Sequence, residues 1–237
     1  MSASTCLPAL LFSFLLSIFV NAAQREQPSF DCRKATSVPE KTICANAELS
    51  RLDFRLGRTW KTLLDAFSDP AQKTRMKVDQ RAWIARRGKC ADDGNCIAKL
   101  YRDQISALTG ADPGHRFSGV YEVKDTGSFA LYPIGNRYLV SIQTVDPSEG
   151  RWTCELTGEA ESSGDDLKIS VANSVFQARL RDTKTLTVAN TDSVSAAASQ
   201  FCGLHGTFAF SYLRVRLNLY FPSFVGWKRG ISFDLAT

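Results

Sequence analysis

The residues of this 237-residue chain with the most obvious chemical potential are two histidines and two pairs of carboxylates. His115 precedes a strand-like region, and His205 lies in a Gly-Leu-His-Gly stretch. Neither belongs to a nucleophile elbow, a metalloprotease helix or a phosphate-binding loop. Asp92-Asp93 and Asp165-Asp166 lie in glycine-containing turns, where aspartate is favoured for local backbone reasons. The sequence therefore predicts no catalytic residue, no metal and no cofactor, and indicates a protein that is not an enzyme.

Cysteines are the second group of chemically distinctive residues. Cys6 precedes an N-terminal apolar run, and six others follow it: Cys32, Cys44, Cys90, Cys96, Cys154 and Cys202. An even number in an exported chain indicates a disulfide framework that allows several pairings. The spacing favours Cys154–Cys202, and the simplest pairing of the other four is Cys32–Cys44 with Cys90–Cys96. A zinc site is the less favoured alternative, because the gap between Cys90 and Cys96 is wider than usual zinc spacing.

The N-terminus predicts export. Residues 1–23 carry no charged side chain, and the apolar run 7–20 is followed by Asn21-Ala22-Ala23. This length and ending are typical of a signal peptide, and the run is too short for a membrane span. We expect cleavage after Ala22 or Ala23, no transmembrane segment in the mature chain, and a location in the periplasm or outside the cell. An uncleaved N-terminal anchor is the alternative.

Residues 24–109 have the pattern of a small helical domain. Apolar side chains recur at helical spacing at positions 49, 52, 56, 60, 63 and 67. Ser37-Val-Pro-Glu40 has the form of a capping box, and Asp69-Pro70 is a second helix start. A loop between Cys90 and Cys96 precedes a last apolar helix. The pattern thus predicts three helices that disulfides help to stabilise.

Residues 110–114 are rich in Gly and Pro and indicate a linker to a β domain at 115–213. That region contains seven or eight short apolar segments separated by turns, including a two-residue hairpin signal at Gly135-Asn136. The spacing predicts an antiparallel barrel or sandwich, so the expected fold class is α+β. The aromatic-rich tail, 214–237, is compatible with extra strands, a membrane-surface segment or a separate C-terminus.

The net charge of +5 is unevenly distributed. Residues 24–109 hold 17 Lys and Arg against 11 Asp and Glu, residues 110–213 hold 8 against 12, and the tail holds 4 against 1. Charges of both signs alternate along the helical region, which is typical of solvated helix faces. No nucleic-acid motif accompanies them, and we expect no nucleic-acid partner.

A set of residues in the helical region carries a resemblance to a known family: Phe30-Asp31-Cys32, Glu40, Ile43-Cys44, Leu52-Asp53, Gln80-Arg81-Ala82-Trp83, Cys90, Cys96, Tyr101 and Leu108. They resemble the LprI N-terminal domain family of bacterial exported proteins, over about a third of the chain. The name-giving member is described as a lysozyme inhibitor, so the resemblance implies an exported inhibitor. This chain departs from the family in having Gln104 where Arg is frequent and Trp60 where Tyr is frequent. It also lacks the acylated cysteine of the lipoprotein members.

The strand region has a weaker resemblance to a second group. In strand number, and in Cys154 and Cys202, residues 117–213 look like the MliC type of small β-barrel lysozyme inhibitors. The Ser-Gly-x-x-Tyr stretch of those inhibitors is not present, so the resemblance implies only the architecture.

These patterns lead to the hypothesis of an envelope protein that binds and inhibits a lysozyme, a typically basic enzyme. Charge complementarity favours the acidic β domain as the contact. Its acidic side chains crowd the strands around a turn at 162–164: Glu155, Glu159, Glu161, Asp165 and Asp166. The structural alternative is a solvated hairpin. The functional alternative is a non-inhibitory module that binds a cell-wall glycan, for which Trp152 and the tail aromatics are candidates, or another protein. The oligomeric state stays open.

Overall fold

The chain folds as helices followed by a β-barrel, so it is an α+β protein, as the sequence predicts. The computed structural model describes residues 27–215, and the predicted signal peptide and residues 216–237 lie outside the described residues. The helical part contains α1 Val38–Ala45, α2 Ala47–Asp65, α3 Pro70–Gly88 and α4 Gly94–Thr109. Short 3-10 turns occur at Cys32–Lys34 and Pro113–His115. No helix in the described part of the chain has the length and apolarity needed to cross a membrane.

The first helix and the third begin at the predicted capping signals. Ser37 and Glu40 form a complete capping box, in which the Glu40 carboxylate accepts from the Ser37 N–H at 3.0 Å. Asp69 caps α3 by accepting from the N–H of Ala71 at 2.9 Å. These local hydrogen bonds satisfy donors that a helix start leaves free, which is why short sequence patterns locate them well.

The helical part has four α-helices where the apolar pattern predicts three. Asn46 separates α1 from α2, with an extended backbone at φ −115° and ψ 118°. Its side chain accepts from the N–H groups of Glu48 and Leu49 and so caps α2. Asn46 therefore separates a short helix that begins at the Ser37 capping box from α2, which carries the predicted apolar stripe.

Eight antiparallel strands close into a barrel in sequential order: β1 Gly119–Val123, β2 Gly127–Ile134, β3 Arg137–Val145, β4 Thr153–Ser163, β5 Asp166–Val171, β6 Ser174–Leu180, β7 Thr185–Val188 and β8 Ser211–Arg214. The predicted hairpin at Gly135-Asn136 joins β2 to β3. β1 pairs with β8, with Tyr121 opposite Arg214, and this pairing removes the free edges that a sandwich would leave.

Inward-facing side chains fill the barrel, and a short helix covers it. The interior residues include Phe129, Ile142, Leu156, Phe176 and Tyr212, all buried. An additional helix, α5 Asp192–Phe201, follows β7, and its Val194, Ala197 and Ala198 pack against the same core. The sequence pattern did not predict α5.

The helices and the outer surface of the first barrel strands share a second apolar core. Val120, Ala130, Tyr132 and Leu139 point out of the barrel and pack among helical residues such as Trp83. The barrel interior is a separate core, but separating the two parts would expose the apolar side chains on both sides of this second one.

Hydrogen bonds reinforce this shared core. The Tyr132 hydroxyl donates to Asp79 of α3 at 2.7 Å. The buried amide of Gln72 donates to the carbonyl oxygens of Val140 and Gly158 at 3.3 and 2.8 Å. Polar groups of the barrel are therefore satisfied by α3, which fixes its position on the barrel surface.

Three disulfides join Cys32 to Cys44, Cys90 to Cys96 and Cys154 to Cys202. This is the pairing that the spacing favours. The first attaches the N-terminal turn to α1, the second closes the loop between α3 and α4, and the third connects β4 to the end of α5.

Arg214, the first residue of the predicted tail, ends β8 and stabilises the junction of the two parts. Its guanidinium donates to the carbonyl oxygens of Thr109 and Arg116 at 2.7 and 2.5 Å and also bonds the Tyr121 hydroxyl. Gly110 ends α4 in the left-handed conformation at φ 71°, which glycine adopts readily. The predicted linker is thus held by hydrogen bonds from the last strand.

Candidate partner-binding surfaces

The acidic side chains predicted to attract a partner are, with one exception among the described residues, paired with arginines. Glu159 accepts from Arg75 at 2.6 Å and from Arg137 at 3.4 Å, and Glu161 lies 3.2 Å from Arg137. These hydrogen bonds, chiefly that from Arg75, lower the pKa of Glu159. Glu159 is therefore ionised at neutral pH, but two cations offset its charge.

The two aspartates at the turn are paired in the same way. Asp165 accepts from Arg116 at 2.5 Å, and Asp166 forms a two-pronged pair with Arg179 at 2.6 and 2.7 Å. The hydrogen bond from Arg179 lowers the pKa of Asp166. These four carboxylates belong to a salt-bridged surface, which weakens the local negative field that the sequence suggests.

Glu155 differs from the other four. It is exposed, and within the described part of the chain it forms no ion pair. It lies near the start of β4, opposite Gln143 and directly after Cys154, whereas Glu161 and Asp165 lie near the end of the strand. The five candidates therefore do not form one site.

Two loops beside Glu155 form a surface that the sequence analysis did not predict. They are residues 146–152 between β3 and β4 and residues 203–206 after α5, and we call them the loop pair. Leu204 is 82% exposed, more than any other large apolar side chain described. His205 beside it has φ 68°, a left-handed conformation uncommon for a residue with a side chain. The exposed leucine and the left-handed residue beside it make this loop a candidate contact surface.

The second loop of the pair is held closely to the barrel. The Gly203 N–H donates to the Thr153 carbonyl at 3.0 Å, next to the Cys154–Cys202 disulfide. Gly206 lies against that disulfide, where an added Cβ would be 2.6 Å from the Cys202 Cβ and 2.8 Å from the Cys154 Sγ. The backbone on both sides of Leu204 is therefore held against the barrel.

The first loop is organised by Asp146. Its carboxylate accepts from the Ser148 N–H and hydroxyl at 3.0 and 2.7 Å and from the Arg151 N–H at 3.3 Å. These bonds, first that of the Ser148 hydroxyl, lower the pKa of Asp146 to about 2. The Asp146 N–H donates to the Trp152 carbonyl at 3.0 Å and closes the loop. Both loops are therefore ordered before any partner binds.

Residues that carry the family resemblance lie inside the helical part. The Tyr101 hydroxyl donates to Asp53 at 2.6 Å and accepts from Arg87 at 2.8 Å, and all three side chains are buried. Asp53 also accepts from the N–H and hydroxyl of Ser29 at 2.5 and 2.6 Å. Trp83 packs edge-on against the Tyr101 ring, with centroids 5.1 Å apart. These residues join α2, α3 and α4 and do not form a contact surface.

A polar cleft of about 440 Å³ lies where the start of α3 meets β3, β4 and β5. Its lining includes Gln72, Arg75, Arg137, Glu159 and Glu161, whose charges are largely paired with each other. Within the described residues no group of three or more potential metal ligands comes together. His115 bonds Asp112 at 2.7 Å in its own turn, apart from the loop pair.

The fold and these surfaces define a disulfide-linked α+β protein in which a helical part packs on a closed barrel. Residues 32–110, which form the helical part of this chain, match the family described as "Lysozyme inhibitor LprI". Lipoprotein LprI of Mycobacterium tuberculosis and that of Mycobacterium bovis are each 27% identical over 88 residues, which are 36% of this chain and 43% of those proteins.

The chain therefore spans less than half the length of these relatives. An uncharacterized protein of Rhizobium meliloti is also 27% identical, over 36% of this chain and 81% of that protein. No solved structure matches the chain.

Proposed function

We propose that this chain is an exported binding protein that inhibits a lysozyme by occupying its active-site cleft, and that it has no catalytic activity of its own. The match of residues 32–110 to a lysozyme-inhibitor family carries the proposal. Three disulfides support a location in an oxidising compartment outside the cytoplasm, where such an enzyme acts. The signal-peptide interpretation of residues 1–23 agrees with that location.

The loop pair is the surface that we assign to the contact. An inhibitor of a cleft enzyme needs a projecting, pre-ordered element, because ordering a loop on binding lowers affinity. Leu204 supplies an apolar anchor, and the Cys154–Cys202 disulfide and the Asp146 hydrogen bonds hold the two loops in place. A single well-placed anchor supplies much of the free energy of many interfaces.

The net charge of the barrel region also favours this side of the molecule as the contact. Residues 110–213 carry 8 Lys and Arg against 12 Asp and Glu, and a basic lysozyme is attracted to that side of the molecule. Glu155 next to the loop pair and Asp146 within it form no ion pair in the described part of the chain, so both contribute to the local negative field. A lysozyme cleft contains two carboxyl groups of its own, so the loop that enters it can carry little negative charge without being repelled.

The test is a titration of the oxidised full chain against a basic c-type lysozyme acting on cell walls. We expect loss of activity that saturates near one-to-one. Leu204→Ala is expected to raise the inhibition constant about tenfold. Leu213→Ala is the matched control, because Leu213 is also exposed, at 61%, but lies on β8 outside the loop pair.

Two results contradict parts of the proposal separately. No inhibition at micromolar excess refutes lysozyme inhibition. Inhibition that Leu204→Ala and Leu213→Ala leave unchanged keeps the function but removes the loop pair as its contact. Full-chain variants are used instead of separate halves, since the helices and the barrel share an apolar core.

A second candidate function is binding of a cell-wall glycan without inhibition. The polar cleft between α3 and the barrel favours it, because paired arginines and carboxylates can exchange hydrogen bonds with sugar hydroxyls. Trp152, a residue with glycan-stacking potential, packs partly against the barrel core, which makes it a poor stacking platform. Sedimentation of the protein with purified cell wall, lost in Arg137→Gln, supports this function, and a supernatant that retains the protein contradicts it.

A further inference from the structure

The outer face of α3 carries a concentration of positive charge that the proposed lysozyme contact does not use. Its cations, which we call the cationic face, are Lys73, Lys77 and Arg81 of α3, with Lys89 directly after the helix. All are exposed except Lys73, which is partly exposed. The helix is 19 residues long, so this face extends over roughly 28 Å at about 1.5 Å per residue.

These cations are not offset by neighbouring carboxylates. The one acidic residue of α3, Asp79, accepts the Tyr132 hydroxyl at the barrel. Two further arginines of α3 do have acidic partners, Arg75 with Glu159 and Arg87 with buried Asp53. None of the four cations of the cationic face forms an ion pair with a carboxylate of residues 27–215.

On the other long helices some cations do have acidic partners. On α2, Lys61 pairs with Asp65 at 2.8 Å, and on α4 Lys99 pairs with Asp103 at 2.6 Å. Arg102 of α4 pairs with Glu48 of α2. Exposed Arg51 and Arg58 of α2 form no ion pair within residues 27–215 either, so unpaired positive charge is densest on α3 but is not confined to it.

Apolar and small side chains lie among these cations. Ile84 is 43% exposed and Val78 is 52% exposed. At about 100° per residue, Ile84 lies on the same side of the helix as Lys77 and Arg81. Ala85 and Gly88 are also exposed on this side of the helix, so the face offers little steric obstruction to a flat partner.

We propose that the cationic face of α3 docks on an anionic phospholipid surface. Lysine and arginine are attracted to phosphate headgroups, and apolar side chains between them enter the boundary with the acyl chains. A phosphate polymer in solution explains the cations but gives no role to exposed Ile84 and Val78. A basic lysozyme is repelled by this face, so the two contacts occupy different surfaces.

The test measures co-sedimentation of the oxidised full chain with phosphatidylcholine vesicles, with and without phosphatidylglycerol. Each cation near an anionic surface contributes about a fivefold change in partitioning, so the triple variant Lys73→Gln, Lys77→Gln, Arg81→Gln should bind about 100-fold more weakly. The matched control is Lys61→Gln, Lys99→Gln, Arg102→Gln, which changes the net charge equally on cations that already have acidic partners. Thermal unfolding followed by circular dichroism verifies that both variants fold.

The proposal predicts binding only to vesicles with phosphatidylglycerol, a large loss in the α3 triple variant and a small loss in the control. Arg81→Gln alone serves as the readout if the triple variant does not fold. An equal loss in the α3 and control variants means that only net charge matters and overturns the proposal. Absence of vesicle binding also overturns the proposal. This holds even if the chain binds polyglutamate, a polyanion in solution.

Discussion

Removal of the Tyr101 hydroxyl tests whether the buried polar network of the helical part stabilises the fold. Tyr101→Phe leaves the ring and its packing on Trp83 in place and deletes one oxygen. That oxygen donates to Asp53 at 2.6 Å and accepts from Arg87 at 2.8 Å. The variant therefore isolates two hydrogen bonds without opening a large cavity.

The magnitude follows from the charge of the two partners. Hydrogen bonds to charged groups contribute about 1.5–3 kcal/mol each, so the two together set an upper limit of about 6 kcal/mol. Arg87 already lies 3.8 Å from Asp53, and a small movement lets them bond directly and recover part of the loss. Asp53 also keeps both bonds from Ser29. We expect a loss of about 3 kcal/mol in the free energy of unfolding.

The assay is urea unfolding of the oxidised chain, followed by tryptophan fluorescence. Tyr212→Phe is the control, because the Tyr212 hydroxyl is equally buried but donates to a neutral acceptor, the Phe208 carbonyl, at 2.9 Å. Its expected cost is about 1 kcal/mol. A Tyr101→Phe cost no larger than that of Tyr212→Phe refutes the reasoning that charge makes this network strong.

Three further predictions concern the whole chain. Burial raises the pKa of several tyrosines, and that of Tyr121 to about 12. The stabilisation that the neutral buried hydroxyls contribute is complete below the unfolded-state pKa of about 10 and is lost as pH rises above it. The urea concentration at the unfolding midpoint should therefore fall above about pH 10. Gln72→Leu removes the side-chain N–H donor to the buried Val140 and Gly158 carbonyls and should cost about 2 kcal/mol in urea unfolding. The double variant Cys154→Ala, Cys202→Ala frees the loop pair and should weaken lysozyme inhibition in the titration assay.

Each of these predictions has a matched comparison. A flat stability profile across about pH 9–11 contradicts the tyrosine argument. Gln177→Leu, on the exposed face of β6, should be nearly neutral, and an equal effect of the two glutamine variants removes the role assigned to Gln72. Cys32→Ala with Cys44→Ala removes a disulfide far from the loop pair and should lower stability while inhibition by the folded protein persists.

Local chemistry made the helix starts and the barrel class predictable. The capping box at Ser37 and the cap at Asp69 are complete within four residues, so the sequence alone contains the hydrogen-bond partners. α5 escaped prediction although Thr191 caps it, because its Ser- and Ala-rich sequence offers only a weak apolar pattern. Barrel closure through Tyr121 and Arg214 joins residues that are distant in sequence, which no local pattern specifies.

The candidate site was harder to predict because its contacts also join residues that are distant in sequence. The acidic cluster was visible in the sequence, but its arginine partners were not: Arg75 comes from α3, 84 residues before Glu159. Arg116 reaches Asp165 across 49 residues. The loop pair also depends on a long-range link, the Cys154–Cys202 disulfide, although a leucine between glycines after a cysteine is a signal that could have indicated it.

The position of the family residues determines what the LprI match implies. Asp53, Trp83 and Tyr101 lie in the interior, where they hold three helices together. Such residues specify how the domain folds, and they can stay the same while the exposed side chains around them change. Affinity for a partner depends on exposed side chains, of which Leu204 and the cationic face of α3 are the most distinctive in the described chain. Variants at these two surfaces therefore test the function of this chain more directly than variants of the residues that define the family.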